Sequence, residues 1–237
     1  DPSSHKGQNG RLLIIAGSDK FHGALLMAMQ TASRIVDMVY VHSPSNVGLI
    51  EKLKSEIAVF INVSNKELWE TIDIVDAILI GPGLEESRAN KKLVHNILKK
   101  YPGKKIVVDA TAFWHLDPLL LHPNCVVTPH SREFENTFKC EPNADNVLKM
   151  AKYYDCTVAL KGQYDYISDG KKLYENKTGN VGMTKGGTGD VVAGIVSSLL
   201  CTNDPLTSAL AGIYLAGYVG DKLKERVGTF FNAEDLI

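Results

Sequence analysis

The chain has 237 residues, 44% hydrophobic and 22% charged, with 20 Gly and 9 Pro; this composition suits a folded core and excludes a disordered, collagenous or disulfide-dense chain. Its 26 Lys and Arg against 27 Asp and Glu leave a net charge of −1, so no basic field invites nucleic acid or an anionic membrane. No apolar run approaches a membrane span, residues 1–10 carry no signal-peptide core, and Cys125, Cys140, Cys156 and Cys201 form no CxxC pair or zinc spacing, which points to a reducing cytoplasm.

Short β-branched runs at 12–16, 38–42, 58–61, 77–80, 106–109, 126–128 and 157–160 read as strands. Between them, segments such as 23–35, 87–100 and 146–154 place apolar residues three and four apart, as amphipathic helices do. The alternation predicts βα units and a three-layer α/β/α sandwich around a mostly parallel sheet. Beyond Lys161 the pattern changes: 164–168 and 172–174 flank Asp169-Gly170 as an antiparallel hairpin, and long helices follow at 188–200 and 205–224. Nothing reads as a linker or repeat, so residues 1–237 are expected to form one domain.

In such sheets ligands bind beyond the carboxyl ends of the strands. Those ends carry Gly17-Ser18, Gly81-Pro82-Gly83, Asp109, Thr128-Pro129-His130 and Lys161-Gly162. Gly, Pro and Asp also simply end strands, so no single one of these defines a site.

The strongest local signal is Gly186-Gly187-Thr188-Gly189-Asp190, opening an apolar helix. A glycine-rich entry exposes unpaired backbone N–H groups at the positive end of the helix dipole, an anion site that needs no basic surface. Asp190 there would compete with a bound phosphate unless it has another task, such as taking the proton from a hydroxyl that attacks phosphorus. On these residues alone, a simple first-turn acid remains an equal alternative. The segment is neither a Walker A loop nor a dinucleotide fingerprint, and 13–18 holds only Gly17.

With GGTGD in place, the chain resembles the ribokinase-like superfamily and, within it, the NAD(P)H-hydrate dehydratases. Ser4-His5-Lys6-Gly7, Gly81-Pro82-Gly83-Leu84, Val108-Asp109-Ala110, Thr128-Pro129-His130 with Glu133-Phe134, Leu160-Lys161-Gly162 and Thr178-Gly179-Asn180 carry the resemblance in that order. It implies ADP- or ATP-dependent dehydration of NADHX and NADPHX: the C6 hydroxyl is phosphorylated and phosphate is then expelled. Asp190 would be the base, and the N–H groups of Gly187, Thr188 and Gly189 would stabilise the moving charge.

Carried over position by position, Ala24, Gly83, His130 and Asp190 are expected to meet the hydrated dinucleotide. Lys161, Gly162, Gln163, Tyr164, Asp165 and Gly189 are expected to meet ADP or ATP. Asp109 and Glu133 would orient Mg²⁺ through water, and Lys161 and Lys185 would add positive charge near the phosphates. The resemblance further implies a homo-oligomer such as a tetramer, and an NAD(P)H-hydrate epimerase as functional partner, for which 237 residues leave no room within the chain. Two other classes compete: a ribokinase-like kinase of a thiazole, pyrimidine or sugar alcohol, and a catalytically silent nucleotide-binding module. Where the family commonly reads TPHPGE, this chain reads Thr128-Pro129-His130-Ser131-Arg132-Glu133.

Overall fold

A computed structural model of the chain describes residues 3–43 and 47–237, the side chains of residues 47 and 49 aside. Its β-branched runs form a nine-stranded sheet in the order β3-β2-β1-β4-β5-β6-β7-β8-β9. The strands are β1 Arg11–Ile15, β2 Met38–His42, β3 Ile61–Asn62, β4 Ala77–Ile80, β5 Lys105–Val108, β6 Cys125–Val127, β7 Thr157–Leu160, β8 Asp165–Ser168 and β9 Leu173–Asn176. β1 to β7 pair in parallel, and β8 and β9 close the edge as the expected antiparallel hairpin.

The helices are α1 His22–Ser33, α2 Val47–Glu56, α3 Leu68–Ile74, α4 Arg88–Lys100, α5 Ala112–His115, α6 Ser131–Phe138, α7 Ala144–Tyr154, α8 Thr188–Leu200 and α9 Pro205–Val227. They cover both faces. Leu12, Ile14, Leu79, Val107 and Val126 pack with α1, α8 and α9, while Leu13, Ile15, Ile78, Ile106 and Val127 pack with α3 to α7. The alternation follows from the pleat, which sends successive side chains to opposite faces of a sheet buried on both sides. Among the described residues, no helix is long and apolar enough to cross a membrane.

Strands β2, β4 and β7 fall where the apolar runs predict, whereas β1, β5 and β6 begin and end one residue earlier. A charged first residue explains two of these shifts: Arg11 pairs with Met38 while its side chain grips Asp76, and Lys105 pairs with Ala77 while its ammonium reaches the Asn203 carbonyl at 2.9 Å. The strand expected at 58–61 is corrected to Ile61–Asn62. It lies at the sheet edge, where only Tyr40 and Val41 offer pairing partners.

Candidate active site

The strand order reverses between β1 and β4, and the loops leaving these two strands are stitched together there: the Gly17 N–H donates to the Pro82 carbonyl at 2.8 Å. A crevice at such a reversal is where open α/β sheets place ligands. Gly81 makes the stitching feasible. Its φ is +128°, and a Cβ there would lie 1.8 Å from the Asp109 carbonyl oxygen. Gly81→Ala is therefore expected to destabilise the fold by more than about 3 kcal/mol, combining backbone strain with a clash the sheet cannot relieve; a urea midpoint within error of wild type would contradict this.

Gly83 and Ala24 meet each other. A Cβ on Gly83 (φ +65°) would stand 2.9 Å from the Ala24 Cβ and 2.5 Å from the Phe21 carbonyl oxygen. Both residues are small because the loop after β4 rides directly on the start of α1.

Further along the rim, β6 runs on past its last strand residue so that His130 bridges Lys161, whose N–H donates to the Pro129 carbonyl at 2.8 Å. His130 then caps α6. Its Nδ1 accepts the N–H groups of Arg132 (3.1 Å) and Glu133 (3.3 Å), and Glu133 Oε2 returns the bond to the His130 N–H at 2.8 Å. This reciprocal capping box uses up Nδ1, while Nε2 of the half-exposed ring lies 3.4 Å from Glu133 Oε1. Burial and the Lys161 charge lower the His130 pKa, so the ring is neutral at physiological pH.

Asp109, just past β5, is 1% exposed. Its Oδ1 accepts both the Lys161 ammonium and the Thr128 hydroxyl at 2.7 Å. A buried carboxylate needs such a counter-charge, and the pairing shows that Lys161 is no solvated strand-end lysine. Glu133 is buried beside them; burial pushes its pKa up to about 7, with Lys161 opposing and Asp109 and Asp190 adding to the rise.

Asp190 completes the cluster from α8. Burial, reinforced by the Asp109 charge and opposed by Lys161, lifts its pKa to about 7. Among the described residues, no side chain or backbone group hydrogen-bonds its carboxylate. The preceding Gly187 has φ +95° and caps α8 with no side-chain bond. The N–H groups of Gly187, Gly189 and Asp190 find no acceptor among the described residues, whereas Thr188 donates, at 3.4 Å, to the Lys185 carbonyl. Orphan donors of this kind at a helix start form an anion site. Lys161 stands beside it, since a Cβ on Gly189 would lie 3.7 Å from its ammonium.

Some expected ligands are otherwise engaged. The Lys185 ammonium donates to the Thr229 carbonyl at 2.5 Å and to the Phe231 carbonyl, so it ties the C-terminal segment to the turn with two of its three N–H groups. The Thr188 hydroxyl likewise faces inward, onto the Met183 carbonyl at 2.6 Å. Asp165 accepts the Gly162 N–H at 3.0 Å and the Asn176 amide at 2.9 Å; it shapes the base of the β8–β9 hairpin. Gln163 and Tyr164 are exposed on that bend, with the Lys177 ammonium 5.6 Å from the Tyr164 ring.

Asp221 on α9 is absent from the sequence reading, yet it accepts the Gly179 N–H and the Asn180 amide, each at 2.9 Å. It holds Thr178-Gly179-Asn180 against a stretch of α9 where Gly217 and Gly220 leave no room for a Cβ. The glycines at 217 and 220, out of place in a helix interior by propensity, are the signal that could have revealed this contact.

A nine-stranded, mostly parallel sheet with a glycine-rich turn and an adjacent carboxylate is a ribokinase-like fold. The chain superposes with TM-score 0.87 on a ribokinase-like superfamily protein of Enterococcus faecalis, at 23% identity, covering 100% of this chain and 87% of that one. It superposes with TM-score 0.80 on the ADP/ATP-dependent NAD(P)H-hydrate dehydratase of Bacillus subtilis co-crystallised with ATP/Mg²⁺, at 24% identity over 100% and 90% of the two chains. The family model for NAD(P)H-hydrate dehydratase matches residues 12–237, and the chain belongs to that family. It is 38% identical to the bifunctional NAD(P)H-hydrate repair enzyme Nnr of Methanocaldococcus jannaschii, covering 100% of this chain and 48% of the relative. It is 35% identical to the ADP-dependent (S)-NAD(P)H-hydrate dehydratase of Nitrosopumilus maritimus, over 99% and 88%. The chain thus spans about half the length of the bifunctional curated relatives it matches.

Proposed function

We propose that the chain dehydrates NADHX and NADPHX to the reduced cofactors, with ADP or ATP as phosphoryl donor. The observation that carries this reading is Asp190: a carboxylate with no hydrogen-bond partner among the described residues and a pKa of about 7, beside N–H groups that have no acceptor. Hydroxide leaves carbon poorly, so the hydroxyl at C6 is first converted to a phosphate ester. Its oxygen bonds to phosphorus, the bond from phosphorus to the nucleotide breaks, and the hydroxyl proton passes to Asp190. A base with its pKa near the working pH suits that transfer, and the N–H groups of Gly187, Gly189 and Asp190 meet the oxygens on which charge collects. The lone pair of the ring nitrogen then expels phosphate, and loss of a proton from C5 closes the ring double bond.

In this reading Ala24, Gly83 and the Nε2 of His130 border the hydrated dinucleotide, while Lys161, Gly162, Gln163, Tyr164 and Gly189 border the donor nucleotide. Mg²⁺ would be held at the rim through water: Lys161 and Thr128 share Asp109 Oδ1, the His130 N–H takes Glu133 Oε2, and His130 Nε2 lies 3.4 Å from Glu133 Oε1, so Asp109 Oδ2 is the carboxylate oxygen left for a metal-bound water. When bound, the metal would neutralise the phosphate oxygens of the nucleotide. A homo-oligomeric assembly, a cytoplasmic setting and a companion epimerase activity belong to the same proposal.

The test is to supply the purified chain with NADHX or NADPHX and Mg²⁺, comparing ADP, ATP and no nucleotide, while following the absorbance of reduced nicotinamide. Recovery of the reduced cofactor that requires a nucleotide is expected. No recovery, together with phosphorylation of a thiazole or pyrimidine alcohol, would replace the dehydratase reading with that of a small-molecule kinase.

A further inference from the structure

Thr128 is fully buried immediately after β6, and its hydroxyl has one proton to give. The geometry gives that proton to Asp109 Oδ1 at 2.7 Å, with the Val108 carbonyl at a marginal 3.4 Å. The same carboxylate oxygen accepts the Lys161 ammonium at 2.7 Å. Lys161 is held at its other end by the Pro129 carbonyl, so a side chain with a flexible four-carbon stem is pinned at backbone and tip. Its tip stands beside the Gly187–Asp190 turn, as the 3.7 Å separation from a Cβ on Gly189 shows.

We propose that Thr128 and Asp109 are positioning residues that aim the Lys161 ammonium at the phosphoryl group on this turn, where Lys161 meets the oxygens not involved in bond making or breaking. The assignment rests on the phosphoryl-transfer reading and deepens it: Lys161, placed there beside the donor nucleotide, is given its target and the two residues that aim it. Lys161 keeps its proton throughout and donates hydrogen bonds only; the proton released by the attacking hydroxyl goes to Asp190. Thr128 touches neither ligand. Its effect runs through Asp109, because a carboxylate fixed by a hydroxyl on one side presents Lys161 in one direction, whereas a freely rotating one does not.

The charged groups facing Lys161 are Asp109 after β5, Glu133 at the start of α6, Asp190 on α8 and, more weakly, Asp165 on β8. Burial works to lower the Lys161 pKa, but Asp109 and Glu133 outweigh it and the net shift is upward. Because Lys161 in turn holds the Asp190 pKa down, releasing it from its aim shifts the acid limb of the pH–rate profile to higher pH.

Thr128→Val, nearly isosteric, removes only the hydroxyl. It is expected to lower kcat by about 10- to 100-fold, leave the nucleotide KM within about twofold, move the acid limb upward, and be rescued by Thr128→Ser. A second readout needs no substrate: in protein carrying ¹⁵N-lysine, the Lys161 ammonium, assigned by its absence in Lys161→Arg, is expected to exchange its protons with water faster in Thr128→Val than in wild type. Unchanged exchange in folded Thr128→Val overturns the assignment, whether or not NADHX is turned over. Faster exchange in the variant of a protein whose wild type does not turn over NADHX defeats the dehydratase reading and leaves the positioning role standing. Should Thr128→Val not fold, Lys161→Arg decides: its longer, planar head cannot sit where the ammonium does, so wild-type kcat in that variant overturns the assignment and a loss of about tenfold or more supports it.

Discussion

Asp190→Asn is expected to lower kcat by about 10²- to 10⁴-fold, the usual worth of a positioned general base, with nucleotide affinity little changed. The same substitution is expected to raise the melting temperature at pH 8. A carboxyl whose folded-state pKa of about 7 lies above its unfolded value favours the fold below the unfolded value, near pH 4, and that contribution is lost as the pH rises through 7. Holding the ionised group in its half-buried site then costs on the order of 2–4 kcal/mol. An amide in its place removes this cost, and for a chain of this size the gain corresponds to roughly 4–16 °C. Scanning calorimetry at pH 5 and pH 8 checks the sign: the gain should be large at the higher pH and shrink at the lower. Wild-type turnover, or a gain independent of pH, would remove Asp190 from the role of a buried base.

Lys161→Met is expected to destabilise the chain by about 3–5 kcal/mol, since it leaves the Asp109 carboxylate buried without a counter-charge. Adding Asp109→Asn should recover much of that loss, because the residual cost lies in the orphaned charge and not in the missing methylenes. Urea unfolding of the two single variants and the double variant measures the coupling directly. Additive losses would mean that the 2.7 Å contact contributes no more than an exposed ion pair. Activity should stay low in the double variant even where stability returns, which separates the structural from the catalytic use of Lys161.

The sheet was legible because its strands are apolar on both faces, so unbroken runs such as Ala77–Ile80 announce themselves. Edges were less so: at β3 the apolar run continues beyond the residues that find a neighbour to pair with, and nothing local marks where pairing begins. In the site, the GGTGD turn stood out because glycines, an acid and an apolar helix occur together in a short stretch. Relations between distant polar residues left no such trace. Asp109 and Lys161 lie 52 residues apart, and Lys185 and Phe231 lie 46 apart; residue type marks each as a charge but does not say which carboxylate or carbonyl it will meet. For the same reason the sequence does not show that Asp165 braces the hairpin through Gly162 and Asn176, or that Asp221 anchors Gly179 and Asn180.

The pairing of α8 with the middle of the sheet has a consequence for how the protein is made. Leu12, Ile14 and Leu79 leave the ribosome well before part of their cover, Val191 to Leu200 on α8 and then α9. A nascent chain that has completed β1 to β6 therefore carries one oily sheet face covered by α1 alone, and parallel strands closed by distant segments are slow to form. Truncations ending before residue 188 should accordingly be captured by chaperones or aggregate, and the glycine-rich turn that opens α8 emerges only as the missing cover begins to.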